Sequence, residues 1–249
     1  MKIVPRLLPH SPELEPPTPP ALPVPGEAPH VWLVRAPEVD LSAERMDVLD
    51  AGERETARGF RSDADRRTYA EVHVGLRVLL GGYLGMKPQD VPLVRRPCPE
   101  CREPHGRPAV EGDPLHFSLS HSDGLGLLAF AATPVGVDVE RLPEPDTVEE
   151  VAPMLHPREA EELAALPSAE RPRAFARTWA RKEAYLKGLG TGLARGLALD
   201  LIGAAEPCEA RLPGWRIGDV MVDPTHAGAV AVRIRAHDTA PKGSCDTPE

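Results

Sequence analysis

The sequence predicts an α+β protein: two similar α/β subdomains in one chain, forming a pseudo-twofold, each a small sheet packed with a long helix. Three observations support that class. Apolar residues come as short β-type runs. Two longer stretches read as helices, one opening at Asp63 with apolar residues at helical spacing and one capped by Ser168 and ending near Gly188. The order strand, helices, strands also occurs twice, with a junction near Thr133.

Residues 1–29 hold ten of the 30 prolines and no apolar period, and read as a polyproline-like or flexible arm. The N-terminal subdomain spans 30–132. It opens with a strand at His30–Arg35, followed by a Ser42-capped helical stretch to Leu49 and a charged stretch to Phe60. From Asp63, Tyr69, Val72, Leu76, Leu79, Leu80 and Tyr83 recur at helical spacing until Gly85 closes the helix. A Pro-rich loop, 88–114, leads to β runs at Leu115–Ser120 and Leu125–Ala131, joined by His-Ser-Asp-Gly in a hairpin pattern. The C-terminal subdomain, 133–238, begins with a strand at Pro134–Glu140. A helix with Pro157 in its first turn follows, then a long one capped by Ser168 and ended by a Gly-rich turn after Gly188. Strands are expected at Leu197–Ile202, Trp215–Val220 and Ala229–Arg235, and 239–249 reads as a disordered tail.

The 249 residues carry 29 basic and 38 acidic side chains, a net charge of -9. That balance argues against a nucleic-acid coat or a polybasic membrane anchor. With no spanning apolar run, no signal pattern and four cysteines, a reduced cytoplasmic setting is expected. Only five bases are Lys in a chain that otherwise uses Arg, so each Lys invites a chemical reason.

Three segments carry chemistry. In Val135-Gly-Val-Asp-Val-Glu140, alternation puts the valines on one face and Asp138 with Glu140 on the other. Such a pair reads either as a charged solvent edge or as ligands for a hard divalent cation. In Trp179-Ala-Arg-Lys-Glu-Ala-Tyr-Leu-Lys187, Glu183 and Lys187 share a helix face. A surface ion pair is the plain reading. Trp179 one turn earlier, and an ammonium able to give up a proton, favour function. Phe117-Ser-Leu-Ser-His-Ser122, after His105-Gly-Arg-Pro108, offers hydroxyl, imidazole and guanidinium donors for phosphate.

In that order and spacing, Gly136-Val-Asp-Val-Glu140 and Trp179-x-x-Lys-Glu-Ala-x-x-Lys187 resemble the paired signature of 4′-phosphopantetheinyl transferases. Ser120-His121, the His-Gly-Arg-Pro turn and Asp63-Ala-Asp-Arg66 are similar to the surfactin-type, single-chain, pseudo-dimeric branch. The resemblance implies Mg2+, with Mn2+ an admissible substitute, held by Asp138, Glu140 and Glu183. It implies coenzyme A as co-substrate, acyl or peptidyl carrier proteins as partners, and a monomer, since one chain supplies both halves of the cleft. Glu183 and Lys187 would be catalytic, Glu183 taking the proton of the carrier serine and Lys187 protonating the departing 3′,5′-ADP. Arg66, Arg107, Ser120, His121 and Lys187 would bind the coenzyme A phosphates, His121 the 3′-phosphate.

Alternatives are a non-catalytic coenzyme A or carrier-binding module, and a Mg2+-dependent phosphohydrolase of a coenzyme A-like nucleotide. Cys98-Pro-Glu-Cys101 has zinc-like spacing without a second pair, so plain loop cysteines are the simpler reading. Arg173 and Arg177 are candidates for meeting an acidic carrier, against a reading in which they are merely solvated.

Overall fold

Four layers stack as helix, sheet, sheet, helix in the computed structural model, which describes residues 1–9, 21–99, 102–103, 106–208 and 212–234. The strands, in chain order, are β1 (Lys2–Ile3), β2 (Arg6–Leu7), β3 (His30–Arg35), β4 (Leu93–Arg95), β5 (Pro108–Val110), β6 (His116–Ser122), β7 (Leu125–Ala131), β8 (Val135–Arg141), β9 (Trp215–Val220) and β10 (His226–Arg233). The helices are α1 (Ala43–Met46), α2 (Ala51–Gly59), α3 (Asp63–Leu84), α4 (Pro145–Val151), α5 (Pro157–Ala164) and α6 (Arg171–Leu189). One sheet runs β2-β3-β7-β6, another β1-β9-β10-β8, and β4 pairs with β5 alone. In β3, β6 and β7, and again in β8, β9 and β10, the first strand pairs antiparallel with the third, and the third with the second.

Strand alternation explains the layers. Val31, Leu33, Leu125 and Leu127 of the first sheet face Val135, Val137, Val139, Val230 and Val232 of the second. The opposite faces take the long helices: Trp32, Leu128 and Phe130 pack on Val72, Leu76, Leu79 and Leu80 of α3. Ala229 and Ala231 pack on Ala180 and Ala184 of α6. β7 lies under cover on both sides, which is why all seven of its residues are buried. Ser62 caps α3 and Gly85 ends it with φ of 66°, while Gly190 ends α6 with φ of 83°. The β6–β7 hairpin turns on Asp123 and Gly124, both with positive φ, as a two-residue turn of this hand requires.

Four expectations need correction. Residues 1–9 are not a free arm: β1 pairs in parallel with β9, and β2 with β3. Each short strand thereby satisfies the backbone groups of an open sheet edge. Residues 10–20 and the tail from 239 lie outside the described residues. The loop 88–114 contains the β4–β5 hairpin. Ser168 does not cap α6, whose cap position is Glu170 and has no side-chain hydrogen bond. Leu197–Ile202 is no strand, because side chains take its backbone groups instead. Glu159 accepts from the amides of Ile202 and Gly203, and Lys182 donates to the Asp200 carbonyl. Helix α4, which the sequence reading did not anticipate, follows β8.

Candidate active site

A cleft of about 960 Å³ opens between the two halves, lined by Arg107, Ser120, His121, Asp138, Glu140, Trp179, Glu183 and Lys187. Gly136 makes the meeting possible. A Cβ there would collide with the Ala184 carbonyl and the Gly188 amide of α6, so β8 can lie against the helix only with glycine at this point. Alternation then turns Asp138 and Glu140 towards Glu183 and Lys187, one helical turn apart.

β6 and β8 share no strand ladder; serine side chains join them instead. Ser118 Oγ accepts from the Val137 amide at 3.1 Å, and Ser120 Oγ donates to Asp138 Oδ1 at 2.7 Å. Ser122 Oγ accepts from the Arg141 amide at 3.2 Å and donates weakly to Glu140 Oε2 at 3.4 Å. From α6, Lys187 Nζ donates to Asp138 Oδ1 at 2.6 Å and to Ser120 Oγ at 2.9 Å. Asp138 is 1% exposed and its Oδ2 has no hydrogen-bond partner.

Electrostatics mark the same spot. Burial, then the charge of Asp138 and that of Glu183, push the Glu140 carboxyl up to about 7, against the pull of Lys187. Burial and Asp138 also raise Glu183. His121 is lowered by burial, then by the neighbouring charges of His73 and Lys187. Among the described residues no three His, Cys, Asp or Glu side chains are already gathered as a metal cluster. In this arrangement the Lys187 ammonium supplies the positive charge beside Asp138. The orphaned Oδ2 of Asp138, and the neighbouring Glu140 and Glu183 carboxyls whose proton affinity burial and Asp138 raise, nevertheless fit a hard divalent cation, which takes oxygen ligands and relieves such repulsion.

The structure thus brings together Arg107, Ser120, His121, Asp138, Glu140, Glu183 and Lys187 of the predicted set. Arg66 is the exception. It does not line the cleft; Asp40 and Asp63 hold it at 3.1 Å and 3.0 Å. Trp179 stacks on the buried Phe175, with ring centroids 5.7 Å apart. Arg177 is half-buried and tied to Glu206 and the Ala204 carbonyl, whereas Arg173 is exposed and donates to the Pro224 carbonyl, so of the two docking candidates Arg173 is the more accessible. Cys98 is buried, and Cys101, His105 and Cys245 lie outside the described residues. The sequence reading missed Asp50, Glu53, Tyr69 and His73, which also line the cleft. A signal existed: Tyr69 and His73 fall four residues apart within α3, polar tips on a helix otherwise read as core.

Comparison with known proteins agrees with this geometry. Residues 134–217 match the family described as the 4'-phosphopantetheinyl transferase superfamily. The 4'-phosphopantetheinyl transferase HetI of Nostoc sp. is 31% identical over 226 residues, covering 87% of this chain and 92% of that protein. The 4'-phosphopantetheinyl transferase gsp of Aneurinibacillus migulanus is 34% identical over 89 residues, 36% of this chain and 37% of that one. The 4'-phosphopantetheinyl transferase Sfp of Bacillus subtilis is 26% identical over 151 residues, 59% of this chain and 63% of that one.

Proposed function

Because the chain belongs to the 4′-phosphopantetheinyl transferase superfamily, we propose that its cleft converts apo carrier proteins to the holo form with coenzyme A and Mg2+. The enzyme transfers 4′-phosphopantetheine from coenzyme A to a serine of an acyl or peptidyl carrier protein. The serine oxygen forms a bond to the phosphorus that carries the pantetheine, the bond to the bridging oxygen breaks, and 3′,5′-ADP leaves. The observation that carries this reading is the convergence of Lys187, Asp138 and Ser120, from three different elements, in one cleft.

Glu183, whose proton affinity is raised by burial and by Asp138, accepts the proton of the carrier serine. Lys187 neutralises the pyrophosphate and returns a proton to the leaving group, which a guanidinium could not do. Asp138, Glu140 and Glu183 would hold the divalent cation, which supplies charge stabilisation at the pyrophosphate when bound. Ser120, His121 and Arg107 receive the phosphates. Arg66 is left out of that set while Asp40 and Asp63 hold it.

The surfactin-type branch is supported by the repeated strand order and by the division of labour between the halves. Residues 30–132 supply Arg107, Ser120 and His121, and residues 133–238 supply the carboxylates and Lys187. One chain therefore completes the cleft, and we assign a monomer working in the cytoplasm. No helix among the described residues is long and apolar enough to cross a membrane.

The test is mass spectrometry of an apo carrier protein incubated with the enzyme, coenzyme A and Mg2+. Gain of a phosphopantetheine mass supports transfer. Unmodified carrier with intact coenzyme A points to a binding module, and unmodified carrier with coenzyme A cleaved points to a phosphohydrolase.

A further inference from the structure

Near His121, a second imidazole stands in a built setting in the cleft. His73 of α3 lines the cleft, and its Nδ1 lies 3.0 Å from Glu53 Oε1. A carboxylate only accepts, so Nδ1 carries the proton of that bond. Glu53 is itself fixed from two other sides: Arg77 Nε donates to its Oε2 at 2.6 Å, and so does the Asp50 amide at 2.9 Å, as part of the capping box of α2. Burial works against ionisation of Glu53, but the hydrogen bonds from His73, the Asp50 amide and Arg77 outweigh it and keep the carboxyl below its ordinary range. Tyr69 stacks on the His73 ring at 4.0 Å and meets His121 edge-on at 5.8 Å. The ring is therefore held in one plane and one orientation beside His121. With Nδ1 committed to Glu53, Nε2 is the nitrogen left for a ligand.

We propose that His73, oriented by Glu53, is a second binding residue for the phosphomonoester of the nucleotide co-substrate, sharing with His121 the 3′-phosphate of coenzyme A. The proposal rests on the transferase reading given above. The ring meets Glu53 of α2 and Tyr69 of α3 and stands within electrostatic reach of His121 on β6, while Arg77 of α3 and Asp50 at the cap of α2 reach it only through Glu53. Arg77 lies between Asp50 and Glu53, donating to both, and so offsets one of the two negative charges at this end; the charge of a protonated His73 would offset the other. To donate from Nε2 while Nδ1 serves Glu53, the ring must be the imidazolium. The resulting N–H to phosphate bond is charge-assisted, the stronger class.

The experiment measures dissociation constants of coenzyme A and 3′-dephospho-coenzyme A by calorimetry for the full chain and two variants. His73→Phe keeps the ring on Tyr69 and removes both nitrogens; His73→Gln places an amide nitrogen near the position of Nε2. The wild-type protein should prefer coenzyme A. His73→Phe should lose roughly tenfold or more of that preference, the loss of one charge-assisted bond, with 3′-dephospho-coenzyme A bound as before. His73→Gln should recover part of it. If both variants keep the wild-type preference, whatever their melting temperatures, His73 is only a partner of Glu53 and the proposal falls. If the wild type itself binds the two nucleotides equally, the 3′-phosphate is not read here and the proposal also falls. The transferase reading survives either result as long as carrier protein gains its phosphopantetheine mass.

Discussion

Without a divalent cation, Glu140 should make the protein less stable as the pH rises through its titration range. Its carboxyl sits at about 7 in the folded state against an ordinary 4.5, raised by burial and by Asp138. Below about 4.5 both states hold the proton and the shift has no effect. Between about 4.5 and 7 the unfolded chain releases a proton that the folded state keeps, so stability falls as the pH rises; above about 7 the difference stays constant. At about 1.4 kcal/mol per pH unit, the gap amounts to roughly 3 kcal/mol. Carboxylates held low, such as Glu53 and Asp223, act in the opposite sense, because the stability they contribute is lost as pH falls. Comparison with Glu140→Gln isolates the one group. Urea unfolding in chelator should show the variant gaining on the wild type from pH 5 to pH 7.5 by roughly that amount. Saturating Mg2+ should erase the gain by stabilising the wild type preferentially. A flat difference across that range, or equal stabilisation of both proteins by Mg2+, would refute the placement of Glu140 among the cation ligands.

Three further outcomes follow from the geometry. Lys187→Arg should keep the charge beside Asp138 and Ser120 yet lower turnover by about 10²-fold or more, because the proton for the leaving group is lost; unchanged turnover would confine Lys187 to electrostatics. Gly136→Ala should cost about 3 kcal/mol and lower the melting temperature by roughly 6–12 °C, since its Cβ would meet backbone that no rotamer change can move. Gly59→Ala, with nothing near its Cβ, is the control, and equal melting temperatures for the two variants would contradict the close packing of β8 on α6. Arg173→Glu should raise the Michaelis constant for carrier more than that for coenzyme A, with the defect shrinking in high salt; equal effects on both substrates would move the docking surface elsewhere.

What repeats at short range was legible in the amino-acid order. Helical spacing located α3 and Gly85 marked its end, a Gly-rich turn after Gly188 marked the end of α6, and alternation in Val135–Glu140 assigned valines to one face and carboxylates to the other. Those signals depend on neighbours within a turn or a pleat, so they are written locally. What distant segments do to one another came from the packing of the folded chain. It placed β1 and β2 on two open sheet edges, where backbone pairing needs no side-chain pattern to announce it. It drew the backbone of Ile202 and Gly203 to Glu159 instead of to a strand, and it turned Arg66 towards Asp40 and away from the cleft. It set Glu53 against His73 and Lys187 against Asp138, pairs separated by 20 and 49 residues. Composition could name the chemistry such residues carry, but the approach of one charge to another is fixed by how the layers pack, and that distance decides which proton, cation or phosphate each group can hold.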